Sequence, residues 1–297
     1  MKVREKMRAM YYEQFGVQPE VKRVATPVIS ATSVLIRVMA TGLCRSDWHG
    51  WMGHDKDIRL PHVPGHEFAG EIVALGEEVE GWKIGERVTT PFIQACGHCE
   101  FCQHGDQQVC EHQEQAGFTY WGSFADYVEV KNAQENLVRI PEFMRYEEAA
   151  VLGCRFGTAY RALMSQSALK WGDYALVLGC GGVGLSCIML ARAMGVRVAA
   201  VDLNADALAF AKSMGAELGF LKLNTETVRE ITHWSGQGVK ACIDAIGHPA
   251  LLPHGLNCLR RRGKYVQVGL MPDEQGLVHL SMEKILAHEL EIVGSHG

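Results

Sequence analysis

The chain has no excess of positive charge. Its 29 lysines and arginines stand against 34 aspartates and glutamates, a net charge of −5, and the basic residues form no run or stripe. That balance argues against nucleic acid or an anionic membrane surface as the main partner. The N-terminal stretch MKVREKMRAMYYEQFG lacks the apolar core of a secretory signal. Internal repeats and low-complexity segments are missing as well. Long hydrophobic runs are missing with one apparent exception, Tyr174–Ala191, which carries no charge and approaches the length of a membrane span. Glycines interrupt that run, and Asp173 and Arg192 flank it. A short apolar run, a glycine turn and a second apolar run read as strand, loop and buried helix, not as a span. The expectation is a cytoplasmic chain without a membrane segment.

What is present is ordinary for a globular protein, 47% hydrophobic and 21% charged. A length of 297 residues suffices for two domains, each with its own core. The first half is turn-rich, with glycines and prolines punctuating β-branched runs such as SVLIRV (33–38) and GEIVALG (70–76). It reads as an irregular, mostly β domain. From about residue 147 small and apolar residues recur at helical spacing. Strand-like stretches at 174–178, 196–201, 218–221, 240–244, 264–268 and 290–294 then alternate with helical patterns. That alternation predicts an α/β unit with a doubly wound parallel sheet.

The 10 cysteines, without a secretory signal, point to reduced thiols and metal binding more than to a disulfide framework. The densest cluster is CGHCEFCQHGDQQVC, which holds Cys96, Cys99, Cys102 and Cys110. An iron–sulfur run begins with similar spacing but places its last cysteine closer and before a proline, whereas here Glu111 follows. Four thiolates with no open position describe a closed tetrahedral zinc site that stabilises a loop poor in core. The bland alternative is a group of free surface cysteines. His98, His104 and His112 nearby read as loop histidines. A closed site cannot bind substrate, so the chemistry is expected elsewhere.

Three other pieces carry metal-binding side chains: GLCRSDWH (42–49), PGHEFAG (64–70) and GCRFGTAY (153–160). Cys44, His66 and Cys154 would make a two-sulfur, one-nitrogen site with a vacant position, and Glu67 lies beside His66. No local spacing unites them. Taken singly, each is as readily a buried thiol or an ordinary histidine.

VLGCGGVGLS (177–186) places Gly179, Gly181 and Gly184 in Gly-x-Gly-x-x-Gly, after an apolar run and at the start of an apolar helix. That context is the one a dinucleotide loop requires. The first glycine permits the tight turn, the second lets a pyrophosphate approach, and the third lets helix and strand pack. Helix N-terminal amides then face the phosphates. Asp202 closes the next strand and is followed by no basic residue before Lys212. A carboxylate there accepts from ribose hydroxyls and repels a 2′-phosphate, favouring NAD over NADP. The structural alternative is a helix cap, a role Asn204 could fill instead.

Together these motifs resemble the zinc-dependent alcohol dehydrogenases of the medium-chain dehydrogenase/reductase family, from about residue 8 to the end. The resemblance implies a GroES-like catalytic domain with a structural zinc lobe over residues 1–155, and an NAD-binding Rossmann domain over 156–297. It implies catalytic zinc on Cys44, His66 and Cys154, with Glu67 near the metal and Asp47 orienting the histidine. Ser46 and His49 match the family's proton relay. Arg45 matches a pyrophosphate contact, Thr158 and Val268 line the nicotinamide pocket, and Gly179, Gly181, Gly182, Val183 and Gly184 form the cofactor loop. GSFADY (122–127) resembles the segment that closes the substrate cleft. The implied cofactors are NAD and two zinc ions per subunit. The implied substrate is a small alcohol with its aldehyde or ketone, and the implied assembly a homodimer or homotetramer. Polyol dehydrogenases of the family commonly carry glutamate where Cys154 stands, so this cysteine favours the alcohol branch. Two departures are expected to matter. Asp202 lacks the basic residue that often follows it, which would weaken ribose binding. The family also continues beyond LEIVGSHG with residues that return to the catalytic domain. A polyol or amino-alcohol dehydrogenase, or a truncated pseudoenzyme that binds NAD and zinc, are the alternatives.

Overall fold

The computed structural model describes residues 3–271 and 277–297. The chain divides into two compact units, one ending at Cys154 and taking in Gly297, the other Arg155–His296.

The first unit is built on β-branched runs. A hairpin pairs β1 (Lys6–Tyr11) with β2 (Glu20–Ala25) in antiparallel register. A five-stranded antiparallel sheet is made of β3 (Val34–Gly42), β4 (Glu67–Leu75), β5 (Arg87–Thr89), β6 (Tyr127–Val130) and β7 (Val138–Arg139), in the order β6-β3-β4-β5-β7. Strand β3 alternates as its period of two requires. Val34 and Ile36 join Phe68, Ile72, Val88 and Val128 on one face, while Leu35 packs with Met7, Ala9, Val63 and Tyr127 on the other. Both faces are thus covered, and the ends of β3 and the start of β4 are held in fixed register beside the segments that carry Cys44 and His66.

The second unit contains β8 (Tyr174–Leu178), β9 (Arg197–Val201), β10 (Leu218–Phe220), β11 (Val239–Asp244), β12 (Leu259–Gln267) and β13 (Glu291–Gly294). All pair in parallel, in the order β10-β9-β8-β11-β12-β13. Consecutive parallel strands need crossover connections, and helices at Gly182–Ala193, Ala205–Met214, Thr225–Ser235, Leu251–Cys258 and Met282–His288 lie in the five of them. Strand β8 is buried on both faces. Ala175 and Val177 pack with Cys187, Ile188 and Ala191, and Leu176 and Leu178 with Ile231, Leu252 and Leu256. That two-sided burial is why its sequence is an unbroken apolar run. The charge-free stretch that resembled a span is therefore a strand, a turn and a helix. Among the described residues no helix is long and apolar enough to cross a membrane. Asn204 caps the helix Ala205–Met214, accepting from the amides of Asp206 at 2.8 Å and Ala207 at 3.2 Å.

Candidate functional site

Three separate segments bring the first cluster together. Cys44 is the residue before the helix Arg45–Trp51. Asp47, in the first turn, reaches back with Oδ2 to accept from the Cys44 amide at 2.8 Å. Its other oxygen accepts from the Gly65 amide at 3.2 Å and from His66 Nδ1 at 3.0 Å. One buried carboxylate thus joins the two strand ends. Cys154 comes from a wide π-helical turn, Leu152–Phe156, inside the helical run that begins at Tyr146. Such turns re-aim a side chain out of the helical repeat. The neighbouring Gly153 lies flat against the 90–92 turn. Its carbonyl accepts from the Phe92 amide at 3.0 Å, and a Cβ there would meet the Thr90 carbonyl at 2.1 Å.

The ligand atoms of Cys44, His66, Glu67 and Cys154 all lie within 4.8 Å of one another. With Nδ1 bound to Asp47, the Nε2 atom of His66 is buried without a hydrogen-bond partner. A histidine whose far nitrogen is held by a carboxylate and whose near nitrogen is an orphan among thiols has the donor arrangement of a metal ligand. The electrostatics agree. The Cys44 thiol is pushed down to about 3, first by the Cys154 thiol, against desolvation, and then by the His66 imidazole. Burial disfavours charge on His66, but Asp47 and Cys44 overcome it and raise the ring to about 10. Without a cation the Cys44 thiol and the His66 ring are therefore each drawn towards the charged form by the other. The rings of Phe118, at 5.1 Å, and Phe92, at 6.4 Å, flank His66. Residues 122–124 are tied beside it, the amides of Gly122, Ser123 and Phe124 donating to Val63, Gly65 and Pro64.

The second cluster is Cys96, Cys99, Cys102 and Cys110, also within 4.8 Å of one another. Sulfur separations are 3.4 Å for Cys99–Cys102, 3.8 Å for Cys99–Cys110 and 3.9 Å for Cys96–Cys102. A disulfide needs about 2.05 Å, so these are free thiols. Tetrahedral zinc, with bonds of about 2.3 Å, sets its sulfurs about 3.8 Å apart. The Cys99 and Cys96 amides point at Cys96 Sγ and Cys110 Sγ, each at 3.4 Å, and amide donors of this kind favour thiolates. Cys99 is lowered to about 6, chiefly by the Cys102 backbone, whereas burial pushes Cys102 up to about 12.

The glycine loop follows β8 directly. Gly179 has φ +91° and turns the chain. A Cβ on Gly184 would stand 1.7 Å from the Gly179 carbonyl, so helix and turn touch there. Gly181 is different: a Cβ on it would meet nothing within 4 Å. Its lack of a side chain serves no packing purpose within the protein, which leaves room for something that approaches the loop. Gly182 and Val183 begin the helix. Asp202 Oδ2 accepts from the Cys180 amide at 2.7 Å and Oδ1 from the Asn204 amide at 2.8 Å. It braces the loop, and Asn204 takes the capping role. Thr158 is buried in the helix Gly157–Arg161, and Val268 follows β12, its amide donating to the Asp244 carbonyl at 3.0 Å.

The remaining sequence-expected residues scatter along the helix Arg45–Trp51. Ser46 Oγ lies 3.8 Å from Cys44 Sγ. Arg45 stacks over Trp48 at 4.3 Å. Among the described residues no hydrogen bond joins Ser46 to His49. His49 instead meets His54, a residue that sequence reasoning missed, with Nδ1 atoms 3.1 Å apart. A helix followed by glycine and then histidine is the signal that could have found it. Trp51 is an anchor, donating to the Val17 carbonyl at 2.6 Å. Cys180, Cys187, Cys242 and Cys258 are buried packing residues.

Residues 30–142 match the alcohol dehydrogenase GroES-like domain, and residues 182–297 match the zinc-binding dehydrogenase family. The chain is 36% identical over 292 residues to an alcohol dehydrogenase of Geobacillus stearothermophilus, covering 97% of this chain and 84% of that protein. It is 33% identical to D-arabitol-phosphate dehydrogenase of Enterococcus avium, covering 92% and 78%. An alcohol dehydrogenase, RspB of E. coli CFT073, solved in complex with NADH, superposes with a TM-score of 0.86 at 28% identity, covering 98% of this chain and 84% of that one. Motifs, two-unit fold and relatives agree: the chain belongs to the zinc-type alcohol dehydrogenases of the medium-chain dehydrogenase/reductase family and is an oxidoreductase.

Proposed function

We propose that the protein is a zinc- and NAD-dependent alcohol dehydrogenase, interconverting a small alcohol and its aldehyde or ketone. The observation that carries this reading is the buried, unpartnered Nε2 of His66 among Cys44, Cys154 and Glu67, with Asp47 on its Nδ1. Two sulfurs and one nitrogen with a carboxylate beside them fit a catalytic zinc site. Four thiols at tetrahedral separation fit a structural one, so the reading assigns two zinc ions per subunit.

Held by Cys44, His66 and Cys154, zinc would supply Lewis acidity, worth on the order of 12 kcal/mol where it brings bound water from about 15.7 to about 7, and NAD would supply the hydride acceptor. The protein's residues do the rest. Asp47 fixes the His66 tautomer, so that Nε2 presents a lone pair. Phe92 and Phe118 keep water from that ring. Ser46 Oγ, beside Cys44, takes the substrate proton and His49 passes it outward, a task suited to an imidazole, whose protonation changes near neutral pH. Gly181 leaves space for the pyrophosphate, and Asp202 favours a ribose without a 2′-phosphate. The NADH held by the E. coli relative supports the same cofactor here. Cys154, where polyol dehydrogenases commonly carry glutamate, supports alcohols over polyols.

The test is Cys44→Ser, with zinc counted by atomic absorption and turnover followed as NADH absorbance over a panel of alcohols and polyols. The variant is expected to lose about one zinc of two and all activity while staying folded. Wild-type turnover in Cys44→Ser would overturn the site. A wild type that binds zinc and NADH yet oxidises nothing on the panel would be a pseudoenzyme.

A further inference from the structure

The helix Arg45–Trp51 ends in a Schellman motif. The Gly53 amide donates to the Gly50 carbonyl and the His54 amide to the His49 carbonyl, each at 3.0 Å. Gly53 takes φ +77°, as the residue after such a cap must. This motif ordinarily closes with an apolar contact between its last residue and the residue one turn inside the helix. Here those two positions are His54 and His49. Their Nδ1 atoms stand 3.1 Å apart. Trp48 makes a T-shaped contact with each ring, at centroid distances of 4.9 and 5.5 Å.

Two imidazole nitrogens at that distance form a hydrogen bond only if one carries hydrogen and the other a lone pair. The pair therefore fixes opposite tautomers at Nδ1, and both rings cannot be cationic without bringing two N–H groups head to head. His49 is half-buried and His54 exposed. We propose that His54 is the surface end of the proton path, taking the proton from His49 Nδ1 and releasing it from its own Nε2 to water. This rests on the reading of His49 as the proton exit.

The step balances. A proton arrives at Nε2 of neutral His49, the Nδ1 hydrogen of His49 crosses to Nδ1 of His54, and the Nε2 hydrogen of His54 leaves to solvent. Each ring gains one proton and loses one, and net charge is unchanged; the starting tautomers return when water protonates His54 Nε2, the shared hydrogen goes back to His49 Nδ1 and His49 gives its Nε2 hydrogen to water. The charged groups facing His49 are Arg45 and Cys44 at its own helix and His54 beyond it. Desolvation first, then His54 and Arg45, lower its pKa, while Cys44 opposes them. A ring biased towards the neutral form hands its proton on and does not keep it.

The experiment compares wild-type zinc-loaded enzyme with His54→Gln and His49→Gln. The first readout is imidazole nitrogen NMR across pH, without substrate. In His54→Gln the His49 titration is expected to move upward, because a neutral amide replaces a ring whose charge opposes protonation of His49. The second is kcat/KM against pH for alcohol oxidation. His54→Gln is expected to slow the acidic limb about three- to tenfold, well below the 10²–10⁴-fold of a direct acid–base group. Added imidazole should restore it. An unmoved His49 titration would overturn the pairing. A moved titration with an unchanged rate profile would overturn the transfer role. If His49→Gln itself leaves the profile unchanged, the reading of His49 fails first and separately.

Discussion

Replacing Asp47 with asparagine is the sharpest test of the assembly around His66. The side chain is buried, and its two oxygens receive three N–H groups: Cys44 at 2.8 Å, Gly65 at 3.2 Å and His66 at 3.0 Å. Asparagine keeps the shape but has one oxygen. Turned one way, its amide meets the Cys44 N–H and one bond is lost. Turned the other way, it meets Gly65 and His66 together and two are lost. The first orientation is cheaper, and it still replaces a charged acceptor by a neutral one on His66. Loss of one hydrogen bond to a buried charged group costs about 1.5–3 kcal/mol. The metal should suffer too, since the carboxylate both fixes the tautomer and raises the basicity of Nε2. Outer-shell losses of this kind cost about 10–100-fold in affinity, or about 1.4–2.7 kcal/mol. Competition against a colorimetric chelator measures this, with the zinc in the four-cysteine lobe as internal control. The expected result is one zinc bound with wild-type affinity and one weakened by that factor. If both zinc ions in Asp47→Asn kept wild-type affinity, the carboxylate would have no part in the site and the orphaned Nε2 would need another explanation.

Zinc uptake at the same site should be pH-dependent, with a sign set by His66. Its folded-state pKa is raised to about 10, so at neutral pH the ring carries a proton that must leave before Nε2 can bind metal. Affinity should rise with pH up to that value, by about tenfold per unit for each proton released. Calorimetry in buffers of different ionisation heat counts the protons, and a count of zero near neutrality would contradict the assignment. The glycine loop offers a paired test. Gly184→Ala forces a Cβ to 1.7 Å from the Gly179 carbonyl and should destabilise by about 3 kcal/mol or more, seen as a lowered Tm. Gly181→Ala meets nothing within 4 Å and should melt like wild type, yet bind NADH at least about tenfold more weakly by fluorescence, because the added methyl stands where the pyrophosphate approaches. Equal NADH affinity in Gly181→Ala would remove the pyrophosphate from that position.

How much of this was legible in the sequence depends on how local each signal is. The parallel sheet was readable because strands buried on both faces are apolar throughout, as in YALVL of β8. The four-cysteine cluster was readable because its thiols fall within one short loop. The cluster around His66 was not readable from residues alone, since Cys44, His66 and Cys154 come from a helix start, a strand entry and a wide turn, and only the fold brings them within 4.8 Å. Cys154 is the clearest case. Residues from 147 onward read as one regular helix, but the π turn at Leu152–Phe156 breaks that repeat, and nothing in helical spacing reports a break of this kind. The join between the two histidines is hidden for another reason. Helix periodicity ends at Trp51, so spacing alone does not place His54 on the same face as His49. Its return depends on Gly53 turning left-handed at φ +77°, where an added Cβ would meet the Phe15 ring at 2.9 Å. The glycine that ends the helix is thus also what sets the second imidazole against the first, and a side chain at position 53 should separate them by strain and by collision at once.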